Sequence, residues 1–427
     1  MRADLRRRYD AIVVGGGPAG SAAATVLAMH GRRVIVLEKE KFPRYHVGES
    51  LIPYTYFPLQ RLGVIDRMSK SNFPKKYSVQ FVSMDGLASH PFYFFQHLDH
   101  PASQTWQVVR GDFDLMLLDN ARSKGAEVLE ETRVVEFLTD SAKAVAGVRA
   151  VTKSAESLEF HAPVTIDASG REGFSLARNR WRVPDLKLDR VALWTYYRGA
   201  VRDPGKDEGA TTIAFLPDKG WFWYIPLPDD VVSVGAVAQS DYLFRDTKDL
   251  EAIFDREVGR NKWIEQHVAP GERVRAPGST DGPFYLTREW SYRSRHCSAN
   301  GLVLVGDVLT FLDPVFSSGV FFALKGGELA ADAVHAALTA GDVSAERFRE
   351  YGEAMTRGIE SMRRLVHAFY DPEFSMRQFV NRYPQLRGDV TDCIIGNLLR
   401  DFTDLFKAVG EFARLPAAMP CGGPLNS

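Results

Sequence analysis

The stretch from Asp10 to Glu38 constrains the fold more than any other part of the sequence. An apolar run, AIVV, leads into the glycine pattern Gly15-x-Gly17-x-x-Gly20, which is followed by an Ala-, Leu- and Val-rich segment and a second apolar run, RVIVL. This order predicts a strand, a tight turn, a helix and a second strand, which together form a βαβ unit. The glycines of such a unit let the backbone approach a diphosphate at the helix N-terminus. The sequence therefore predicts a dinucleotide site, and the alternative left open is a tight turn without a ligand.

The residues predicted to hold the dinucleotide lie in the turn, in the first turn of the helix and at the end of the second strand. They are Gly15, Gly17, Pro18, Ala19, Gly20 and Glu38. Glu38 stands where an acidic side chain accepts a hydrogen bond from a ribose hydroxyl, about 20 residues after the glycines. The unit thus predicts contacts to both a diphosphate and a ribose.

The composition is that of an ordinary globular enzyme and excludes several classes of partner. The length of 427 residues suits two or three structural units. A formal net charge of −1, from 53 basic and 54 acidic side chains, indicates neither a nucleic-acid partner nor a stable membrane association. The cysteines Cys297, Cys393 and Cys421 lie far apart and lack metal-ligand spacing. These features predict a cytoplasmic protein without a disulfide framework or a metal site.

Strand and helix patterns beyond the βαβ unit predict the rest of an α/β fold. Strand-like runs divided by Gly, Pro and Asp over 188–237 predict a second, largely antiparallel sheet. Helices are predicted over 56–69, 250–266 and 319–338, and the chain from residue 345 onward is mostly helical. We therefore predict a Rossmann-like nucleotide-binding fold with an inserted, mostly antiparallel β-sheet domain and a helical C-terminal region.

Three further motifs resemble those of the FAD-dependent monooxygenases of the aromatic hydroxylase type. One strand ends in DASG, from Asp167 to Gly170, a later strand ends in Gly306-Asp307, and an R-x-x-F-D motif begins at Arg110. The resemblance implies that the dinucleotide is FAD, that Asp307 contacts its ribityl chain or diphosphate, and that Arg110 lies near the same phosphates. A guanidinium suits this place because its planar fork pairs with two oxygens. The residues alone leave open a surface salt bridge for Arg110 and a helix cap for Asp307.

Four shorter segments are similar to the flavin-dependent halogenases, and within them to the branch that acts on phenols and pyrroles. They read RYHVGESLIP from residue 44, FPKKYS from residue 73, WFWYIP from residue 221 and DPVFSSGV from residue 313. The W-x-W-x-I-P element is complete, whereas Ser78 stands where the F-x-x-K-x-G element has its glycine. The resemblance covers about residues 8–340 and implies halogenation through hypohalous acid.

The resemblance also implies roles for residues outside the βαβ unit. Lys76 would hydrogen-bond hypohalous acid or trap it as a haloamine, while Trp221 and Trp223 would separate the flavin from the substrate. Halide would bind the backbone amides of Ser318 and Gly319. The further FAD contacts implied by the two resemblances are Arg44, Glu49, Ser50, Arg110, Val134, Asp167, Gly170, Asp307, Pro314, Gly319 and Val320.

Each of these roles has a structural alternative. Lys75 and Lys76 could be a solvated basic pair that opens a strand, and the serines before Gly319 could simply cap the following helix. Tryptophans two residues apart share one face of a strand and could be ordinary core residues.

The resulting prediction is an FAD-dependent halogenase of natural-product biosynthesis. Its substrate would be a small phenol or pyrrole, free or tethered to an acyl or peptidyl carrier protein, with chloride or bromide as co-substrate. Because the chain has no second G-x-G-x-x-G in a βαβ context, a separate flavin reductase is expected to supply reduced FAD. The alternatives are an aromatic hydroxylase, a geranylgeranyl-reductase-like enzyme and a non-catalytic FAD-binding module.

The predicted domains are discontinuous along the chain. Residues 1–75, 105–187 and 290–342 are expected to form the FAD-binding domain. Residues 76–104 and 188–289 are expected to form the substrate-binding β-sheet domain, and residues 343–427 the helical C-terminal region.

Overall fold

The computed structural model describes residues 8–425, except for the side chains of residues 289 and 290. The outer ends of the predicted domains, residues 1–7 and 426–427, lie outside that range. In chain order the strands are β1 Ala11–Val14, β2 Val34–Leu37, β3 Lys75–Lys76, β4 Ser78–Val82, β5 Phe92–Tyr93, β6 Thr105–Trp106, β7 Glu127–Leu129, β8 Thr132–Thr139, β9 Val145–Thr152, β10 Ser157–His161, β11 Val164–Asp167, β12 Arg182–Arg198, β13 Thr211–Phe215, β14 Trp221–Pro226, β15 Val231–Ala238, β16 Glu272–Val274, β17 Tyr285–Ser294, β18 His296–Ala299, β19 Leu302–Leu304, β20 Thr310–Phe311 and β21 Gly423–Pro424. The α-helices are α1 Pro18–Met29, α2 Tyr56–Leu62, α3 Ile65–Lys70, α4 Arg110–Ser123, α5 Phe174–Asn179, α6 Ser240–Leu243, α7 Leu250–Val258, α8 Lys262–Val268, α9 Gly319–Ala340, α10 Arg349–Tyr370, α11 Met376–Arg382, α12 Arg387–Ile395 and α13 Thr403–Val409.

A seven-stranded sheet, counted over the described residues, is built on the βαβ unit. Its order is β21-β18-β19-β11-β1-β2-β7, and β1 pairs in parallel with both β2 and β11. Every residue of β1, β2 and β11 is buried, as expected for parallel strands that are covered on both faces. The Rossmann-like fold is therefore confirmed, and the carboxyl ends of these strands meet at one edge of the sheet.

A nine-stranded sheet, again counted within residues 8–425, follows the order β20-β17-β12-β15-β14-β13-β4-β5, with β16 attached to β12. Its pairs are antiparallel except for β13 with β4, so the prediction of a second, mostly antiparallel sheet is confirmed. Strand β14 is buried at every position and lies between β13 and β15. Strands β3 and β6 form a separate two-stranded sheet in which Lys76 is opposite Thr105.

Two predicted helices are each divided in the structure. The segment 250–266 forms α7 and α8, because the Asn261 side chain accepts from the N–H groups of Trp263 (3.1 Å) and Ile264 (3.2 Å) and so starts a new helix. The segment 56–69 forms α2 and α3, because Gly63 ends α2 in the left-handed region, with φ 76°. The prediction of one continuous helix is wrong at both places.

Buried charges attach the C-terminal helices to the nine-stranded sheet. Asp185 of β12 accepts from Arg363 (2.6 Å) and His367 (2.8 Å), which both lie on α10. Arg293 of β17 pairs with Glu360 of the same helix at 2.5 Å. Breaking such a buried pair costs about 3–5 kcal/mol because it leaves an uncompensated charge, so these pairs hold α10 in place.

None of the helices in the described range combines the length and the apolar character needed to cross a bilayer.

Candidate active site

A cavity of about 670 Å³ is lined by residues of both large sheets. It opens at the carboxyl end of β1 and reaches the tryptophans of β14. The predicted site residues that line it are Gly15, Gly17, Pro18, Ala19, Glu38, Arg44, Glu49, Ser50, Arg110, Val134, Gly170, Trp221, Trp223, Asp307, Pro314, Gly319 and Val320. The predicted residues that do not line it are Gly20, Lys76, Asp167 and Ser318.

The turn after β1 forms a cradle that a side chain would fill. Gly15 has φ +100°, and a Cβ there would lie 2.5 Å from the carbonyl oxygen of Ala168. A Cβ at Gly20 would lie 1.9 Å from the Gly15 carbonyl oxygen, so Gly20 lets α1 pack directly on the turn. Pro18 begins α1, whose first N–H groups have no partner within the helix. A glycine-lined cradle at a helix N-terminus fits a diphosphate, so the residues present fit FAD.

Glu38 and Arg110 both line the cavity, and each also has partners within the protein. Glu38 accepts from the backbone N–H of Gly16 at 2.7 Å. The Arg110 guanidinium donates to both oxygens of Asp114, at 2.9 and 3.0 Å, and Arg44 donates to the same carboxylate at 2.8 Å. Arg110 is buried, so its ion pair is not the surface salt bridge of the alternative prediction. The shared carboxylate orients both arginines beside the cavity.

Asp167, predicted to contact FAD, has hydrogen-bond partners in the loop that follows β11. Its buried carboxylate accepts from the N–H groups of Ser169 (3.0 Å) and Ser175 (2.7 Å) and from the Ser175 hydroxyl. Gly170 of the same DASG motif lines the cavity, whereas Asp167 does not. The Asp167 side chain shapes the loop after β11, and its predicted contact with FAD stays a prediction.

Burial in the cavity wall favours the neutral form of two carboxyl groups. Burial raises the pKa of Glu49 to about 7 and the pKa of Asp307 to about 6. Glu49 accepts from the Tyr196 hydroxyl at 2.7 Å, while its Oε2 is buried without a hydrogen-bond partner among the described residues.

Lys76 is buried, with 1% of its surface exposed, whereas Lys75 is exposed. The Lys76 ammonium or amine group donates to Ser50 Oγ (2.8 Å) and to the Leu51 carbonyl (3.1 Å). Because Ser50 lines the cavity, the nitrogen lies one side chain away from it. Burial lowers the pKa of Lys76 to about 7. Two acceptors match the two N–H bonds of a neutral amine and leave its lone pair free.

Polar side chains hold the surroundings of Lys76 in place. Ser50 Oγ lies 2.8 Å from Thr211 Oγ1, to which Gln107 also donates at 2.8 Å. Ser78, which replaces the glycine of the halogenase element, is buried and donates to Asp207 at 2.9 Å. The Ser78 hydroxyl thus has a hydrogen-bond partner of its own, although the family element has glycine at this position.

Trp221 and Trp223 form a wall on one face of β14, which we call the tryptophan wall. Both side chains are buried and line the cavity, with ring centroids 6.2 Å apart. Trp223 donates to Ser233 at 3.0 Å and packs directly over Gly235, where a Cβ would lie 2.2 Å from the ring. Glycine is therefore required opposite Trp223. Burial of both rings fits the alternative of ordinary core tryptophans and the proposed wall equally well.

Residues 313–319, which we call the anion loop, connect β20 to α9. Asp313 accepts from the N–H of Val315 at 3.1 Å, and Ser317 turns the chain with φ 55°. Ser318 occupies the N-cap position of α9 without a side-chain capping bond, so the capping alternative does not describe its hydroxyl. Gly319 begins this 22-residue helix and lines the cavity, which suits its N-terminus to an anion. The halide site at these amides stays a prediction.

Several residues of the site carry no motif in the sequence. Trp194 donates to the Tyr45 hydroxyl at 2.8 Å, and this hydroxyl lies 3.0 Å from the Tyr196 hydroxyl. Tyr196 in turn donates to Glu49, so a chain of hydrogen bonds joins Trp194 to Glu49. The spacing of Trp194 and Tyr196 along β12 is the one signal that could have placed both on the same face of the strand, and Trp194 lines the cavity. Within residues 8–425 no group of three or more His, Cys, Asp and Glu side chains is arranged to hold a metal ion.

Comparison with known proteins found a family model, curated relatives and solved structures that match most of this chain. The family model described as tryptophan halogenase matches residues 10–102 and 96–414. The 1H-pyrrole-2-carbonyl-(peptidyl-carrier protein) chlorinase of Pseudomonas fluorescens is 31% identical over 418 residues, which cover 91% of this chain and 89% of the relative. The corresponding brominase of Pseudoalteromonas luteoviolacea is 30% identical over 390 residues, covering 90% of this chain and 91% of the relative. The solved structure of the flavin-dependent brominase Bmp2 is similar with a TM-score of 0.83 and 27% identity, covering 95% of this chain and 97% of that chain.

Proposed function

The chain belongs to the flavin-dependent halogenases matched by that family model, and we propose that it halogenates an electron-rich phenol or pyrrole, free or tethered to a carrier protein. It is an FAD-dependent enzyme with halide as its co-substrate. Two relatives named for pyrrole on a peptidyl carrier protein each cover about nine tenths of the chain, which makes that substrate class the first to test. The observation that carries the proposal is the buried Lys76, one side chain from the cavity that contains the glycine cradle.

The residues that would hold FAD come from the βαβ unit and from the loops at the same sheet edge. We assign the diphosphate to Gly15, Gly17 and the N-terminus of α1, the ribose to Glu38, and the ribityl chain to the neighbourhood of Asp307. Bound in its reduced form, FAD together with O₂ supplies the oxidising equivalent that converts chloride or bromide to hypohalous acid. We propose that a separate flavin reductase delivers the reduced cofactor.

Lys76 would transfer the halogen from hypohalous acid to the ring. With a pKa of about 7, roughly half of this amine is neutral at neutral pH and carries a free lone pair. The lone pair either accepts a hydrogen bond from hypohalous acid or attacks its halogen, forming an N–halogen bond and releasing water. The aromatic carbon then takes the halogen and loses its proton, which restores the amine. Ser50 and the Leu51 carbonyl orient the nitrogen during this transfer.

The tryptophan wall would keep the aromatic ring away from the flavin. Trp221 and Trp223 line the cavity as buried rings, and each indole N–H is already bonded within the protein. The rings can therefore exclude water and substrate without offering a donor to either. Such a wall favours halogenation over direct hydroxylation of the ring.

The proposal is tested by incubating the protein with a flavin reductase, NADH, FAD, chloride or bromide, and a panel of phenols and pyrroles, including a pyrrolyl group on a carrier protein. Halogenated product from the wild type and from Lys75→Ala, with none from Lys76→Ala at unchanged FAD binding, is the expected result. Hydroxylated product without halogenation, or reduction of a polyprenyl chain, would overturn the proposal in favour of a rival oxidoreductase. Full FAD loading with no turnover across the panel would instead indicate a non-catalytic FAD-binding module.

We further propose the division of labour between the predicted domains and a cytoplasmic location. The FAD-binding domain would supply the cradle, and the β-sheet domain would supply the wall that faces the substrate. The cytoplasmic location is supported by Cys297, Cys393 and Cys421, which are free thiols in the described structure.

A further inference from the structure

Tyr370, the last residue of α10, contacts both the tryptophan wall and the anion loop. Its hydroxyl accepts from the indole N–H of Trp221 at 2.8 Å and donates to Asp313 Oδ2 at 2.9 Å. Asp313 in turn accepts from the N–H of Val315 at 3.1 Å through its other oxygen. One phenol thus joins a strand of the nine-stranded sheet to the loop that precedes α9.

The surroundings of Tyr370 fix its position. Its ring is buried, and the Arg190 guanidinium lies over it at 4.4 Å from the centroid. Burial raises the pKa of the Tyr370 hydroxyl well above its ordinary value, so this group keeps the proton that it donates to Asp313. The helix that carries it is held by the pairs of Asp185 with Arg363 and His367. The hydroxyl therefore connects two parts of the cavity wall through a rigid element.

We propose that Tyr370 is a positioning residue that holds the anion loop in register with the tryptophan wall, so that halide and aromatic ring bind in fixed relation to each other. This inference rests on the proposed function and assigns a role to the C-terminal helices. Tyr370 is not one of the residues that line the cavity, so its effect reaches the site through Trp221 and Asp313. Without the hydroxyl, Asp313 and the Trp221 indole lose their shared partner, and the anion loop is no longer tied to β14.

The test compares Tyr370→Phe with Tyr351→Phe as a matched control. Tyr351 lies on the same helix, is equally buried and donates its hydroxyl to the Leu304 carbonyl at 2.7 Å, away from the wall and the loop. Each variant loses one buried phenol hydroxyl, and melting temperature is measured for both to show that each remains folded. Halide KM, aromatic KM and kcat are measured for both, together with the bromide dissociation constant read from flavin absorption of the oxidised, FAD-loaded protein.

The expected result is a rise of about fivefold to tenfold in halide KM for Tyr370→Phe, the loss typical of one hydrogen bond, with FAD affinity unchanged. Tyr351→Phe should leave halide KM at the wild-type value. Equal halide KM in the two variants, or equal loss of kcat with no change in halide KM, would overturn the inference and leave Tyr370 a purely structural residue. Absence of halogenation by the wild type would instead overturn the proposed function, which keeps the two failures distinct.

Discussion

Replacing Lys76 with methionine should stabilise the protein at and below neutral pH. Methionine keeps the length and the apolar stem of the side chain but removes the amine. The pKa of Lys76 falls from 10.5 to about 7 because burial disfavours its charged form. A difference of about 3.5 pKa units, at about 1.4 kcal/mol each, corresponds to at most about 5 kcal/mol of folding free energy.

The sign of this effect follows from proton binding. Between pH 7 and 10.5 the unfolded chain keeps the Lys76 proton and the folded chain does not, so the stability of the wild type rises with pH across this window. The full cost is present below pH 7. The advantage of Lys76→Met in unfolding free energy should therefore be largest there and should shrink by about 1.4 kcal/mol for each pH unit above 7.

Urea unfolding of the FAD-free protein, followed by tryptophan fluorescence, measures this difference below pH 7 and at two points within the window. Lys75→Met is the matched control, because it removes the exposed neighbouring lysine and leaves the buried amine in place. Parallel curves for Lys76→Met and the wild type would refute the reasoning, since Lys76 would then titrate as an ordinary solvated lysine. That result would also remove the support for a neutral Lys76 amine, on whose lone pair the proposed halogen transfer depends.

Two further outcomes are expected. Gly235→Ala should push the Trp223 ring into the cavity, cost about 1–3 kcal/mol of unfolding free energy and raise aromatic KM at unchanged FAD affinity. Gly259→Ala is the control, because a Cβ there has its nearest neighbour at 3.7 Å. Equal aromatic KM in the two variants would contradict the assignment of Trp223 to the wall. Glu49→Gln should stabilise the protein by an amount that grows as pH rises from 4.5 to about 7, reaching about 3 kcal/mol, because burial raises the pKa of this carboxyl and charging it is then costly. Urea unfolding across that range measures this gain, and a gain that falls with pH would exclude the raised pKa.

The parts of the fold that the sequence predicts well are those with a local pattern. The βαβ unit is encoded within Asp10 to Glu38 by apolar periodicity and glycine spacing, and its two strands and its helix are present in the structure. The division of 250–266 at Asn261 was missed because the apolar spacing continues across it, although an asparagine before a helical segment is a capping signal.

The parts of the site that the sequence predicts poorly depend on contacts between distant segments. Lys76 follows another lysine, and the acceptors of its buried nitrogen, Ser50 and Leu51, lie about 25 residues earlier in the chain. The hydrogen bonds of Asp167 to Ser169 and Ser175 form only once the loop after β11 has folded, and its motif does not predict them. Tyr370 lies 149 residues from Trp221, and no pattern in either segment indicates that the two meet.

The separation of Lys76 from the tryptophan wall has an evolutionary consequence. The lysine belongs to a two-stranded sheet of its own, whereas the wall lies inside the nine-stranded sheet. Mutations that reshape the wall therefore need not disturb the amine or its two acceptors. A scaffold of this kind can accept changes in the wall while it keeps the same nitrogen and the same acceptors.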